Sequence, residues 1–210
     1  MDKVFAIGDI HGCFDKLYTL MNKIDIDFKK DTLVFLGDYI DRGPDSFKVV
    51  EYLINLKKKY ANIVFLKGNH EELLENYLKG VERFNFLYNG GQQTLESYMK
   101  ANQKPSDAIP EKHLEFFDSL EHYYETEKYI FVHAGLKAPK PLAQQKKSDL
   151  LWIRREFINS KYDFGKQVVF GHTVFETPLL LPNKIGIDTG AAYGRKLTCV
   201  KLPDLLFYDV

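Results

Sequence analysis

Short apolar runs recur along the chain, and each ends at a cluster of Gly, Asp, Asn or His residues. Their length, their β-branched and aromatic content and the glycine close behind each run predict buried strands. Because α/β sheets bind ligands at the carboxyl ends of their strands, these polar clusters are candidate functional positions. The five runs are residues 4–7, 32–36, 63–66, 129–132 and 168–170.

Segments with helical spacing alternate with these runs. Residues 14–23 place Leu17 and Leu20 on one face, and residues 46–59 repeat the pattern with Leu53 and Ile54. Residues 71–78 continue a third helix directly from the turn that precedes them. The alternation of strand and helix predicts an α/β domain.

Three later stretches depart from the alternation. Residues 79–126 predict a small, mostly helical insertion, with helices near 94–100 and 111–120. Residues 137–149 carry four lysines and two prolines and predict an exposed loop, whose lysines are either solvated or attract a substrate phosphate. Residues 179–210 alternate apolar runs with Gly and Pro and predict a β meander, which would belong to a second sheet. Because no linker or repeat is visible, residues 1–210 are expected to form a single domain.

Composition narrows the class of protein. The 29 Lys+Arg residues balance 29 Asp+Glu residues, which argues against a protein held on nucleic acid or on a membrane by bulk charge. Two cysteines, Cys13 and Cys199, make no disulfide framework and are expected to be reduced thiols. No apolar run approaches the ~18 residues of a membrane span. We therefore expect a soluble cytoplasmic protein without a membrane partner, and its oligomeric state stays open.

Six side chains behind the predicted strands form a donor set for metal ions. A lone Gly-Asp or histidine would be turn chemistry, but five such clusters at strand ends are hard to explain as turns. Two carboxylates, one amide and three imidazoles suit first-row divalent metals, and six ligands favour two ions over one. A carboxylate such as that of Asp38 can bridge them. The six residues are Asp9, His11, Asp38, Asn69, His133 and His172.

A second set of residues is explained by a bound phosphate. Arg42 offers a planar fork of donors, and His70 can donate a proton to a leaving oxygen. Asp41 can orient His70 and raise its pKa by its negative charge. Arg154 is the first candidate for a second phosphate-binding residue and Arg155 is the alternative, because spacing alone does not distinguish them.

Five motifs in this order resemble the phosphoprotein-phosphatase family of calcineurin-like metallophosphoesterases. The likeness is greatest to small bacterial and phage serine/threonine phosphatases, by length and by the segments 90–94 and 151–154. It runs from residue 4 to about 194 and implies a four-layer sandwich, in which two packed mixed β-sheets are flanked by helices. The motifs are Gly8-Asp9-Ile10-His11-Gly12, Gly37-Asp38-Tyr39-Ile40-Asp41-Arg42-Gly43, Gly68-Asn69-His70-Glu71, His133-Ala134-Gly135 and Gly171-His172-Thr173.

The resemblance implies a role for each candidate residue. Arg42 and Arg154 bind the phosphate together with Asn69, and His70 with Asp41 is the acid pair. Two divalent ions are implied, with manganese as the activator in vitro and iron or zinc in cells. The implied ligands are Asp9, His11 and Asp38 for one ion, and Asp38, Asn69, His133 and His172 for the other.

The expected activity is that of a serine/threonine protein phosphatase acting on a phosphorylated protein or peptide. A hydroxide that bridges the two metals would attack phosphorus in line. The alternatives are a symmetrical dinucleoside tetraphosphate hydrolase and a broad-specificity phosphodiesterase. Asp41 and Glu71 favour the phosphatase, because the dinucleotide hydrolases typically lack the first and carry Asp at the second. A scaffold without catalysis is disfavoured, since every motif position is retained.

Overall fold

The computed structural model describes residues 3–102 and 109–210, over which it has ten strands and eight α-helices. The strands are β1 (Val4–Ile7), β2 (Thr32–Phe35), β3 (Ile63–Phe65), β4 (Tyr123–Glu125), β5 (Tyr129–Val132), β6 (Gln167–Phe170), β7 (Leu179–Leu181), β8 (Lys184–Gly186), β9 (Thr198–Leu202) and β10 (Leu206–Asp209). The helices are α1 (Phe14–Lys23), α2 (Ser46–Lys59), α3 (Asn69–Leu78), α4 (Arg83–Phe86), α5 (Gln92–Asn102), α6 (Glu111–Asp118), α7 (Lys147–Trp152) and α8 (Arg155–Asn159).

The strands form two five-stranded sheets, in the orders β10-β9-β1-β2-β3 and β4-β5-β6-β8-β7. Strands β1, β2 and β3 are parallel, as are β5, β6 and β8. Antiparallel strands complete each sheet, so both sheets are mixed. This confirms the predicted α/β fold of two mixed sheets flanked by helices.

Successive side chains of a strand point to opposite faces of its sheet, so the buried residues of one strand divide between two layers of the core. In β1, Phe5 and Ile7 pack into the cluster that holds α1 and α2 against the first sheet. Ala6 between them packs into the cluster shared by both sheets, with Val169 of the second sheet. The outer face of the second sheet packs against α7 and α8 through residues such as Phe157. Two helical layers therefore enclose two sheets.

The predicted insertion at 79–126 contains α4, a π-helical turn, α5 and α6, and its residues 103–108 lie outside the described residues. It packs on α2 through His113, whose ring nitrogens hydrogen-bond to the Tyr98 hydroxyl (2.8 Å) and to the Glu51 carboxylate (2.9 Å). The helical part of this insertion ends at Asp118, and the predicted range beyond it contains an edge strand, Tyr123–Glu125, that pairs with β5.

Two further sequence expectations differ from the structure. Residues 179–210 do not form one meander, since β7 and β8 join the second sheet whereas β9 and β10 join the first. Apolar alternation predicts a strand but not its partner, which explains the difference. The loop predicted at 137–149 is shorter than expected, because α7 begins at Lys147.

Two expectations from composition concern the cysteines and membrane segments. Cys13 and Cys199 are both free thiols, and Cys199 is buried. Within the described residues, no helix has the length and apolar character needed to cross a membrane. Nothing in the described part of the fold therefore depends on a disulfide.

Candidate metal centre and phosphate site

The carboxyl ends of β1, β2, β3, β5 and β6 meet at one edge of the two sheets, and the predicted site residues follow these ends. All six predicted ligands are buried, as are both members of the predicted acid pair. Of the two phosphate-binding candidates, Arg42 is half-buried and Arg154 is exposed. The fold thus brings five separate sequence motifs into one site.

Asp38 lies at the centre of this site. Its two carboxylate oxygens face different imidazoles, with Oδ2 3.4 Å from Nε2 of His11 and Oδ1 3.4 Å from Nε2 of His133. Within the described residues, two groups of potential metal ligands share Asp38. They are His11, Asp38 and His70, and Asp38, His133 and His172. A shared carboxylate is what a pair of neighbouring ions requires.

Asp9 is placed differently from the other predicted ligands. It lies at the same edge, but its carboxylate oxygens accept the His172 N–H at 3.1 and 3.0 Å, and it belongs to neither of the two groups. His70, predicted as the acid, takes its place in the first group. Burial raises the pKa of Asp9 well above its usual value, and the nearby Asp188 and Asp38 charges add to that effect.

Backbone carbonyls orient two of the ligand imidazoles. His11 Nδ1–H donates to the Ile40 carbonyl, and His133 Nδ1–H donates to the Leu36 carbonyl, each at 2.9 Å. In this tautomer each Nε2 carries a lone pair that faces the site. Such hydrogen bonds behind a metal-binding histidine fix its tautomer and ring orientation.

The three histidines predicted as metal ligands are held neutral. Burial lowers the pKa of His11 to about 3 and that of His172 to about 2, and it also lowers the pKa of His133. Burial alone would raise the pKa of Asp38, but the positive charge that the surrounding histidines, His70 among them, carry when protonated outweighs it and holds that pKa below its usual range. Neutral imidazoles around a carboxylate are the protonation states in which these groups bind metals.

Three observations test whether the residues fit divalent ions. His172 Nε2 is buried and has no hydrogen-bond partner within the described residues. His133 Nε2 and Asn69 Oδ1 lie 3.0 Å apart, and in the tautomer above both are acceptors, so a cation would relieve their repulsion. The mixed set of nitrogen and oxygen donors suits first-row divalent metals. The residues therefore fit a metal centre.

The turns that carry these residues have an uncommon backbone conformation. Left-handed φ values are rare outside glycine, require compensation elsewhere, and concentrate at functional sites. Seven non-glycine residues in the described ranges have a positive φ, and five of them are predicted site residues. These five are His11 (47°), Asp38 (53°), Asp41 (72°), Arg42 (67°) and His172 (61°).

Two motif glycines permit close approach between the turns. A Cβ on Gly68 would lie 2.1 Å from Oδ1 of Asp38, and a Cβ on Gly171 would lie 2.1 Å from Oδ1 of Asp9. Any side chain at either position would displace a predicted ligand. The glycines are therefore part of the site's geometry.

The predicted acid pair is assembled in the structure. His70 Nδ1 lies 2.6 Å from Oδ2 of Asp41. Burial works to lower the pKa of His70, but the Asp38 charge and the Asp41 hydrogen bond outweigh it and the net shift is upward. Asp41 is itself held by Thr94, whose hydroxyl donates to Oδ1 at 2.7 Å and accepts the Asp41 N–H at 2.8 Å. The insertion thus contributes to the site through α5.

Thr94→Val is expected to lower kcat about tenfold, because outer partners that orient an active-site group are worth roughly 10- to 100-fold. The substitution removes the hydroxyl that holds Asp41 and leaves the shape of the side chain. Steady-state kinetics on a phosphomonoester would measure it. Ser97→Ala on the same helix is the control, since Ser97 accepts the Phe47 N–H and, within the described residues, has no hydrogen bond to Asp41. An unchanged kcat for Thr94→Val would show that Asp41 needs no such support.

Glu71 holds the turn that carries Asp38. Its carboxylate accepts the N–H groups of Asp38 (2.9 Å), Tyr39 (2.8 Å) and Gly68 (2.9 Å). Burial raises the pKa of Glu71 to about 7, and the Asp38 charge adds to that effect. Glu71 is thus a positioning residue for Asp38.

Glu71→Ala is expected to lower the free energy of unfolding by about 3 kcal/mol. It leaves three buried N–H groups without a partner, and each such group costs roughly 1–3 kcal/mol. Urea unfolding in the presence of a chelator would measure it without a metal contribution. Glu72→Ala is the control, because its contacts to Trp152 and Lys147 are solvent-exposed and worth under about 1 kcal/mol. Equal losses in the two variants would contradict the assignment.

The two arginines contact two different predicted ligands. Arg42 Nη1 is 2.5 Å from Nε2 of His11, and the Arg42 N–H donates to the Gly90 carbonyl at 3.1 Å. Arg154 Nη1 donates to the His172 carbonyl at 2.7 Å. Arg155 begins α8 and is exposed. The structure therefore brings Arg154 next to a predicted ligand.

Besides Thr94, sequence reasoning missed two further residues of the site. Asp188 is buried near Asp9, and burial raises its pKa to about 6. Tyr193 packs against Arg42, whose Cζ lies 5.4 Å from the ring centroid. Asp188 could have been found from the Ile-Asp-Thr-Gly run behind β8, which repeats the strand-then-Asp pattern of the first two motifs.

Comparisons with known proteins agree with this geometry. The family described as Calcineurin-like phosphoesterase matches residues 2–206. A bis(5′-nucleosyl)-tetraphosphatase (asymmetrical) of Oceanobacillus iheyensis is 30% identical over 99% of this chain and 92% of its own. A protein of the same name from Bacillus cereus is 28% identical over 97% and 92%.

Solved structures with the same fold include more than one kind of phosphatase. One provisionally named as a diadenosine tetraphosphatase has a TM-score of 0.78 and 25% identity, over 100% of this chain and 93% of its own. A cold-active protein tyrosine phosphatase has a TM-score of 0.76 and 20% identity, over 100% and 76%. At that lower identity the likeness concerns the fold.

Proposed function

The chain belongs to the calcineurin-like phosphoesterase family and is a hydrolase of the metallophosphoesterase class, and we propose that within this family it is an asymmetrical dinucleoside tetraphosphatase. The observation that carries the proposal is the end-to-end match to relatives of that name. This replaces the protein phosphatase as the first expectation. In the proposed reaction, one water and one dinucleoside tetraphosphate give a nucleoside triphosphate and a nucleoside monophosphate.

In this proposal the six buried ligands hold two divalent ions, with manganese as the activator in vitro. Such ions supply Lewis-acid stabilisation of phosphate charge and lower the pKa of water that attacks phosphorus. The carboxylate of Asp38, which is common to both groups of potential ligands, would serve both ions. The ligands are Asp9, His11, Asp38, Asn69, His133 and His172.

Arg42 and Arg154 then bind the phosphate oxygens from two sides. Arg42 lies beside His11, and Arg154 lies beside His172, so a phosphate between them would be adjacent to both halves of the metal centre. Guanidinium groups match phosphate geometry with paired donors. Asn69, at the start of α3, adds a side-chain amide to the same region.

His70 is the proton donor to the leaving oxygen in this proposal. Asp41 fixes Nδ1, which leaves Nε2 directed toward Asp38 at 4.0 Å and hence toward the reacting phosphate. The raised pKa keeps the imidazole protonated to higher pH than a free histidine. The acid pair thus returns a proton to the departing group.

A serine/threonine protein phosphatase is the second candidate, and the intact acid pair favours it. An alkoxide leaving group needs a proton more than a triphosphate does. His70 and Asp41 therefore fit a phosphoserine or phosphothreonine ester well. The two candidates share every other residue of the proposed mechanism.

Product analysis tests the first candidate. Diadenosine tetraphosphate turned over in ¹⁸O-labelled water is expected to give ATP and AMP in equal amounts, with the label in AMP. Formation of two ADP molecules would indicate symmetrical cleavage. Absence of turnover, with a phosphopeptide hydrolysed by the same preparation, would favour the second candidate.

A further inference from the structure

An aromatic ring stands exposed beside the proposed phosphate-binding arginine. Tyr193 lies in a 3₁₀ turn (Ala191–Tyr193) behind the second sheet's last parallel strand. The guanidinium of Arg42 occupies one face of its ring at 5.4 Å, within the range of a cation–π contact. The side chain is nevertheless 58% exposed, so much of the ring faces solvent.

The turn that carries Tyr193 is firmly held. Gly190 and Gly194 adopt left-handed φ values of 80° and 75° on either side of it. The Tyr193 N–H donates to the Gly190 carbonyl at 2.9 Å, and the Gly190 N–H donates to Oδ1 of Asp188 at 3.0 Å. Lys16 of α1 donates to the Ala191 carbonyl at 2.9 Å. Because the turn is already ordered, binding of a ligand to the Tyr193 ring would cost little free energy in ordering the protein.

Other exposed aromatic rings near the site are already engaged. The Trp152 indole N–H donates to Glu72 at 2.7 Å, and its ring meets the His172 ring at right angles. Phe84 and Tyr88 of the insertion stack on each other. Tyr193 differs from these in lying directly against a proposed phosphate ligand.

We propose that Tyr193 is a nucleobase platform, on whose exposed ring the base of the nucleotide bound at Arg42 stacks. This inference rests on the proposed function, because it assigns a binding role toward one end of a dinucleotide. The substrate class it selects is a phosphate joined to a flat aromatic group. Every base offers a π-face, so stacking without hydrogen bonds tolerates different bases.

The placement follows from the chemistry of a 5′-nucleotide. A single ribose links its phosphate to its base, so a phosphate bound at Arg42 keeps the base within reach of the Tyr193 ring. The guanidinium covers one face of Tyr193, and in the proposed function it also binds phosphate. One arginine therefore links the anion site to the platform.

Binding of AMP and of ribose 5-phosphate, measured by titration calorimetry, tests the inference directly. The two ligands share phosphate and sugar and differ in the base. We expect AMP to bind about tenfold more tightly, since one stacked base is worth roughly that factor or more. Tyr193→Ala should abolish the preference, and Tyr193→Phe should retain it. Tyr162→Ala removes another exposed tyrosine, whose ring contacts that of Phe164, and should also retain it.

Kinetics on two substrates separate stacking from support of Arg42. Tyr193→Ala is expected to raise KM for diadenosine tetraphosphate about tenfold, and to raise KM for phosphoserine, which carries no aromatic ring, by less than about threefold. Equal losses on both substrates would show that the ring only positions Arg42 and would overturn the inference. So would an AMP preference that survives in Tyr193→Ala.

If the proposed dinucleotide hydrolase function is wrong, the results would differ from those that overturn the Tyr193 platform. In that case the wild-type protein would not hydrolyse the dinucleotide, while AMP would still bind more tightly than ribose 5-phosphate through Tyr193. That result would uphold the platform and point to another nucleotide substrate. Equal binding of the two ligands by a protein that hydrolyses the dinucleotide would overturn the platform alone.

Discussion

Asp38→Asn is expected to lower kcat by about 10³-fold or more. Asp38 faces His11 and His133 with different oxygens and is common to both groups of potential ligands. Asparagine keeps one oxygen but not the charge, so it cannot serve two cations. Charge stabilisation by metals is worth several kcal/mol, and each 1.4 kcal/mol is tenfold in rate. Steady-state kinetics with added manganese would measure the loss.

The metal content of the same variant gives an independent readout. Elemental analysis of purified Asp38→Asn should find fewer ions per chain than in the wild type. Asparagine tolerates the left-handed backbone at this position, so chelated protein should still unfold cooperatively in urea. Asp15→Asn, an exposed carboxylate on α1, should change neither activity nor metal content. Full activity with two ions in Asp38→Asn would refute a shared ligand.

His70→Asn is expected to lower kcat by about 10²- to 10⁴-fold, the range that general acid catalysis contributes. The substitution removes the proton donor that Asp41 holds at 2.6 Å. The loss should be larger on phosphoserine than on para-nitrophenyl phosphate, because a nitrophenolate departs without a proton. Kinetics on both esters would measure this difference.

Metal analysis decides between two roles for His70. It belongs to one group of potential ligands with His11 and Asp38, so a second role in metal binding predicts loss of an ion. The acid role predicts unchanged metal content and a rate loss that depends on the leaving group. An equal loss on both esters, together with a missing ion, would contradict the acid role.

Much of the fold could be predicted from the sequence because its strands are short apolar runs followed by glycine. The run at 4–7 and the helices at 14–23 and 46–59 match β1, α1 and α2 at both ends. The edge strand at Tyr123–Glu125 was missed, since it is polar, three residues long and mostly exposed. Sheet partners of the last four strands were also missed, because pairing depends on contacts distant in sequence.

The candidate site was predictable because its residues follow strand ends in recognisable motifs. Spacing alone did not separate Arg154 from Arg155; the family resemblance selected Arg154, and the structure places its guanidinium at the His172 carbonyl. Thr94 and Tyr193 contact Asp41 and Arg42 across more than 50 residues of chain. No local pattern encodes such contacts.

Substrate preference was not predictable from Asp41 and Glu71. Both were taken to favour a protein phosphatase, but their contacts assign them to building the site. Asp41 holds His70, and Glu71 holds the backbone of Asp38. Neither residue reports what is attached to the phosphate. The relatives' names favour the dinucleotide instead.

The balance of kcat/KM among three substrates tests the central claim most directly. Diadenosine tetraphosphate, a phosphoserine peptide and a phosphotyrosine peptide would be compared side by side with one manganese-loaded preparation. The account predicts the highest kcat/KM for diadenosine tetraphosphate, with ATP and AMP as its products. A higher kcat/KM for either phosphopeptide would contradict it.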